Sequence, residues 1–170
     1  VKPAGTFLYF AYGSNMRSSR LLQRTPTAQL IGPARLHRHR LAWHKIGVDD
    51  TGKCDIIPTG RAADRVLGVA WKIRKGDLRV LDVVEELGTG YVAENVAIHV
   101  GGRRRLARTY RAIPTDPGLR PLDWYKRFVV SGAREHGLPA DYVAWLARTP
   151  AISDPDRKRA NRNRSISGRG

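Results

Sequence analysis

Tyr9-Phe10-Ala11-Tyr12-Gly13-Ser14-Asn15-Met16 is the stretch on which the fold turns, because an apolar, strand-like segment breaks at one glycine into a Ser-Asn pair able to start a helix. Thr6 to Tyr12 is dense in aromatic and apolar residues, which suits a strand. Gly13 permits a sharp turn, and Ser14 or Asn15 can cap a helix over Met16 to Leu22. Backbone N–H groups at such a helix start, aided by the helix dipole, bind a carboxylate, a phosphate or a developing oxyanion. For Gly-Ser-Asn by itself, a strand, a turn and a capped helix with no ligand is the plainer reading.

Outward from that stretch, strand signals dominate the first two thirds of the chain: Thr6–Tyr12, Ala34–Trp43, Asp55–Pro58, Val66–Ile73, Tyr91–Val100 and Arg103–Ala112. Asp49-Asp50-Thr51-Gly52 and Gly101-Gly102 punctuate them. The second is a two-residue link suited to a primed hairpin turn. Asp77 is placed to cap a helix through Leu78, Leu81, Asp82, Val84 and Glu85. Two further helices are expected after Pro121, over Leu122–Glu135, stopped by Gly137, and over Ala140–Ala147, led in by Pro139. Short strands with helices inserted irregularly argue for an α+β domain around a curved or closed, mainly antiparallel sheet, a small barrel with flanking helices.

Composition bounds the rest. The 170 residues suit one domain, placed at 1–150, with a basic tail at 151–170. No apolar run approaches the ~20 residues of a bilayer span, and Cys54 is the lone cysteine, so no internal disulfide forms and a cytoplasmic location is expected. The net charge of +16 is uneven: Arg157, Lys158, Arg159, Arg162, Arg164 and Arg169 supply six positive charges with no acid among them. With its Asn, Ser and Gly content, that tail is expected to be disordered. Weak, non-specific polyanion contact is expected from it and from the runs at Arg35–Arg40 and Arg103–Arg108. No aromatic platform or reader motif accompanies those runs, which argues against a dedicated nucleic-acid reader.

Candidate chemistry is narrow. His37 and His39 alternate, but the flanking arginines repel a metal cation and no nearby ligand completes a set, so no metal site is expected. Cys54 has no spaced partner and reads as a small buried hydrophobe. Gly13 lacks the further glycines or lysine of a phosphate loop. Carboxylates are scarce, and Glu85 and Glu86 adjoin near a helix end. A Glu behind Val83 and Val84 is a candidate for partial burial and proton transfer. On spacing alone, two exposed acids at a helix end is the simpler alternative.

Four separated blocks shift that balance. Tyr9 to Met16 is the first. Cys54-Asp55-Ile56-Ile57-Pro58 with Val66 to Ile73 is the second, Leu81-Asp82-Val83-Val84-Glu85 with Gly90-Tyr91 the third, and Trp124-Tyr125-Lys126 with Gly132 to Tyr142 the fourth. Together, from about Leu8 to Leu146, they resemble the γ-glutamylcyclotransferases. The second block resembles that family's paired central strands, and the third the segment that bears its catalytic glutamate.

The resemblance implies formation of 5-oxoproline from a γ-glutamyl compound, with no cofactor, Glu85 as general acid and base, and Tyr12, Gly13, Ser14, Asn15, Tyr91 and Tyr125 as substrate-binding residues. Glu85 keeps its spacing from Leu81-Asp82, whereas counting back from Tyr91 points to Val84, which cannot accept a proton; Glu86 is the reserve base. The Tyr-Gly-Ser-Asn form is unlike the glutathione-degrading branch and points to γ-glutamyl amino acids or γ-glutamyl-protected metabolites. The alternative reading is a non-catalytic binding module that contacts a polyanion or protein through its basic surface and tail.

Overall fold

A computed structural model of the chain describes residues 5–168. Among the described residues seven strands form, in chain order β1 (Thr6–Ala11), β2 (Gln29–His37), β3 (His39–Ile46), β4 (Gly52–Pro58), β5 (Arg65–Arg74), β6 (Tyr91–Val100) and β7 (Arg103–Ala112). Five of them close a barrel in the order β1-β5-β2-β6-β7, and β3 with β4 makes a separate two-stranded ribbon. The barrel pairs are antiparallel except where β7 meets β1 in parallel, at Tyr9 and Arg108. β5 is buried almost throughout, from Val66 to Trp71, as a strand flanked on both sides must be. The helices are α1 (Ser18–Arg24), α2 (Leu78–Val84), α3 (Asp123–Glu135), α4 (Ala140–Ala147) and α5 (Arg157–Ser167).

The sequence places β6 and β7 at their observed bounds, joined at Gly101 and Gly102 with φ of 56° and 73°. These are the left-handed angles that a primed two-residue turn needs. Elsewhere the structure corrects the reading. The single strand expected over Ala34–Trp43 is two strands, broken at Arg38, whose φ is 60°. The strands expected to pair centrally do not: β4 pairs with β3, and β5 with β1 and β2. Arg38 lets the chain turn out of the barrel, which sends β3 and β4 off as their own ribbon.

That ribbon is tied back by Asp55, which is buried and accepts from the Ala112 N–H at 2.8 Å and pairs with His44 Nε2 at 2.8 Å. α3 buries Trp124, Tyr125, Phe128, Val129, Gly132 and Ala133, a stripe at helical spacing. Gly137 ends it with a φ of 66°, as expected.

The tail is not disordered over its described length. Asp156 caps α5 by accepting from the Arg159 N–H, and Asp154, whose side chain has no exposed surface, receives two 2.7 Å hydrogen bonds from Arg159 and one of 2.7 Å from Trp124 Nε1. Arg164 pairs with Asp123 at 2.6 Å. The acids that organise the helix lie just before it and on α3, outside the run of cations on which the expectation of disorder rested. Arg169 and Gly170 lie outside the described residues.

Candidate active site

The chain leaves β1 through Tyr12 and Gly13 into a short 3-10 turn, Ser14–Met16, before α1 begins at Ser18. The helix expected over Met16 to Leu22 is therefore split, and neither Ser14 nor Asn15 caps it through a side chain. Both side chains are used elsewhere. Ser14 Oγ accepts from Arg20 Nε at 3.1 Å, and Asn15 faces the glutamate at the end of α2. Gly13 is packed so closely that a Cβ there would lie 3.1 Å from Cys54 Cβ and 3.3 Å from the Tyr125 hydroxyl.

The turn is clamped from behind by α3. Gly132 is required for that contact, since a Cβ would come within 2.5 Å of the Arg17 backbone nitrogen. His136 Nε2 lies 2.9 Å from the Met16 carbonyl, and Glu135 accepts from Arg17 at 3.0 Å. The first N–H groups of a short helix have no partner within it, so the clamp holds those donors at a fixed place.

Glu85 follows the last residue of α2 and brings its carboxylate to the turn. Its Oε1 accepts from Asn15 Nδ2 at 2.7 Å and lies 3.6 Å from Arg24. Arg24 also donates to Asn15 Oδ1 at 2.7 Å, and Asn15 Nδ2 donates to the Tyr9 hydroxyl at 2.9 Å. Asn15 is thereby fixed on both sides of its amide, and the carboxylate is held in one orientation. Asp77, expected to cap α2, makes no side-chain cap and accepts instead from Thr27.

Tyrosines complete the walls. The Tyr91 hydroxyl donates to the Cys54 carbonyl at 2.9 Å, Tyr125 accepts from the Cys54 N–H at 3.0 Å, and Tyr12 donates to the Tyr110 carbonyl. Burial pushes the phenols of Tyr9, Tyr12, Tyr91 and Tyr125 well above the ordinary value, with the Glu85 charge adding to each. They serve as neutral hydroxyls. Burial likewise pushes the Cys54 thiol up, which leaves it an inert thiol. Burial, then the neighbouring Arg24, brings Arg20 down to about 9, which still leaves it a cation at neutral pH.

Tyr12, Gly13, Ser14, Asn15, Glu85, Tyr91 and Tyr125 line one narrow cleft. Glu86 is not among them: it turns away at a φ of 51° and pairs with Lys45 Nζ at 2.7 Å. Tyr9 and Tyr110 also line the cleft, and Arg24 holds it together. Arg24 sits in the last turn of α1, where a cation reads as the usual complement to a helix dipole, so sequence alone hides its part.

A bovine γ-glutamylcyclotransferase is 34% identical over 146 residues, covering 81% of this chain and 75% of the relative, and the human protein of that name is 33% identical over 151 residues with the same coverage. The chain belongs to the γ-glutamylcyclotransferase family. The AIG2-like family model matches residues 65–146, from β5 to near the end of α4. A solved structure named γ-glutamyl cyclotransferase superposes with a TM-score of 0.84 at 27% identity, covering 95% of this chain and 99% of its own. A human structure follows at a TM-score of 0.82 and 28% identity, covering 94% and 98%. The γ-glutamylcyclotransferase fold thus accounts for nearly the whole chain.

Proposed function

We propose that the chain is a γ-glutamylcyclotransferase that releases 5-oxoproline from a γ-glutamyl amino acid or a γ-glutamyl-protected metabolite, with Glu85 as the proton carrier. The observation that carries the reading is the 2.7 Å contact between Asn15 and Glu85, which joins the turn to a carboxylate seventy positions away. The reaction needs both halves in one place.

A γ-glutamyl group carries its own nucleophile. The α-amine attacks the γ-carbonyl, a C–N bond closes the five-membered ring, and the original amide C–N bond breaks to release the amine. Holding amine and carbonyl together removes an entropic barrier of about 7–11 kcal/mol. Glu85 takes the proton that the α-amine loses and returns it to the departing nitrogen, so no net proton is consumed. The N–H groups at Gly13, Ser14 and Asn15 face the developing oxyanion or the α-carboxylate. Tyr12, Tyr91 and Tyr125 give the cleft its shape and supply neutral hydrogen bonds. Asn15 and Arg24 position the carboxylate.

Purified protein incubated with a panel of γ-glutamyl amino acids and γ-glutamyl amines is expected to release 5-oxoproline, read by chromatography. A panel that yields none while the protein is folded contradicts the reading. Acidic or neutral leaving groups suit the surface better than polyamines, because the molecule as a whole is strongly cationic.

A further inference from the structure

The catalytic cleft is not the roomiest concavity. A groove of about 1000 Å³ opens at the opposite end of the seam between β1 and β7, against about 30 Å³ for the tyrosine cleft. Its origin lies in how the barrel closes. Near the cleft the seam is stitched by Thr109 Oγ1 donating to the Phe10 carbonyl at 2.9 Å and by Tyr12 donating to Tyr110. The parallel ladder itself is registered only at Tyr9 and Arg108, although β1 runs back to Thr6 and β7 back to Arg103. Past that bridge no further pair is registered, and a groove opens between the strands. Thr6, Phe7 and Leu8 then form one wall, and Arg104, Arg105 and Leu106 the other. β1 is satisfied on its far side by β5 and β7 by β6, so each turns one unladdered edge toward the groove.

The side chains give that gap a chemistry. Lys72, Lys75, Arg104 and Arg105 surround it, and among the described residues none of the four has a carboxylate within ion-pairing distance. Arg108, at its inner end, is committed to Asp82 at 2.7 Å. Leu106 is 66% exposed between the arginines, an apolar residue with no packing role in the barrel. Free phosphate would engage the cations but leave Leu106 and the strand edges without a partner. Single-stranded nucleic acid needs stacking platforms, and Phe7 is the only aromatic among the lining residues, half-buried at that.

We propose that the unladdered half of the β1–β7 seam is a docking groove for an extended acidic peptide, which adds as a strand along the open edge of β7. Its carboxylates meet Lys72, Lys75, Arg104 and Arg105, and alternate apolar side chains cover Leu106. Main-chain hydrogen bonds supply affinity in strand addition, and the alternation of side chains supplies selectivity. The groove is separate from the cleft and takes part in no step of the cyclisation.

Fluorescence anisotropy of the full chain with a labelled peptide alternating glutamate and valine tests this. Saturable binding is expected, weakened by about tenfold or more in R104E/R105E, where two attractive contacts become repulsive, and in Leu106→Asp. The same peptide N-methylated at alternate residues keeps its charges but loses strand donors, and is expected to bind at least about tenfold more weakly to the unaltered protein. Circular dichroism checks that each variant is folded, and the N-methyl comparison decides the matter if a variant is not. No saturable binding, binding indifferent to R104E/R105E or to N-methylation, or tighter binding of a short oligothymidylate overturns the proposal.

Discussion

Asn15 is the residue on which the cleft is organised, because its amide accepts from Arg24 on one side and donates to Glu85 and Tyr9 on the other. Substituting it removes an oriented donor at the carboxylate while leaving Glu85 itself present. Asn15→Ala is expected to lower kcat by about tenfold to a hundredfold, and Arg24→Ala to lower it as well, since each loses part of the support of one carboxylate. Unchanged turnover in both variants would remove Asn15 and Arg24 from the site. Gly13→Ala tests the same cleft from its floor. With Cys54 Cβ 3.1 Å and the Tyr125 hydroxyl 3.3 Å from the added methyl, the turn or its neighbours must give by a few tenths of an ångström, and turnover is expected to fall by less than the roughly hundredfold that a displacement near 1 Å costs. Steady-state rates with melting curves separate this from instability.

At the scale of elements, α3 is the clamp that fixes the turn. Gly132→Ala drives a methyl to 2.5 Å from the Arg17 backbone nitrogen, and backbone on both sides cannot give way cheaply. The expected cost is about 1–3 kcal/mol, read as a lowered melting temperature, with activity falling as the turn moves. α3 also receives α5, through Asp154. Arg159 foremost, then Trp124 and the Asp156 N–H, hold that carboxyl well below the usual carboxylate value against the opposing effect of burial. A carboxyl depressed in the folded state contributes stability that is present above its unfolded value, about 3.9, and is lost as pH falls toward the folded one. The melting temperature is therefore expected to decline below about pH 4, and Asp154→Asn to lower it at neutral pH while flattening that decline. A variant with the same acid limb as the unaltered protein would show that Asp154 is not its source.

These elements also show what was legible in the sequence. β6, β7 and their Gly101-Gly102 link could be read because alternation and turn chemistry agree locally. The break at Arg38 could not, since arginine carries no turn signal and takes its positive φ from the departure of the ribbon. α5 was hidden for a related reason. Its cap and its buried ion pair use acids upstream of the cationic run, so the run looked unsupported.

For the whole molecule, the charge of +16 remains the most unusual property, and it lies on the folded surface over the described part of the tail. Arg157, Lys158 and Arg162 are exposed and carry no ion pair among the described residues. Weak attraction to heparin or duplex DNA is expected to fall steeply with salt, and Gln at these three positions to make the salt slope shallower without lowering the melting temperature. An unchanged slope would place the attraction elsewhere on the surface.

The same fold that spreads cations outside gathers one carboxylate inside. β1 and its turn, β4, the end of α2, β6 and α3 each deliver a residue to the cleft, and α2 delivers Glu85 to within 2.7 Å of Asn15. The sequence could name both residues but could not bring them together, because that distance depends on barrel closure. The account rests on Glu85 moving a proton, which Glu85→Gln isolates by keeping size and hydrogen bonding while removing the base. The direct measurement is the rate of 5-oxoproline release by Glu85→Gln on the best substrate of the panel, alongside its melting temperature. A loss of about a hundredfold or more in kcat with an unchanged fold is the expected result. Turnover equal to that of the unaltered protein would contradict the mechanism.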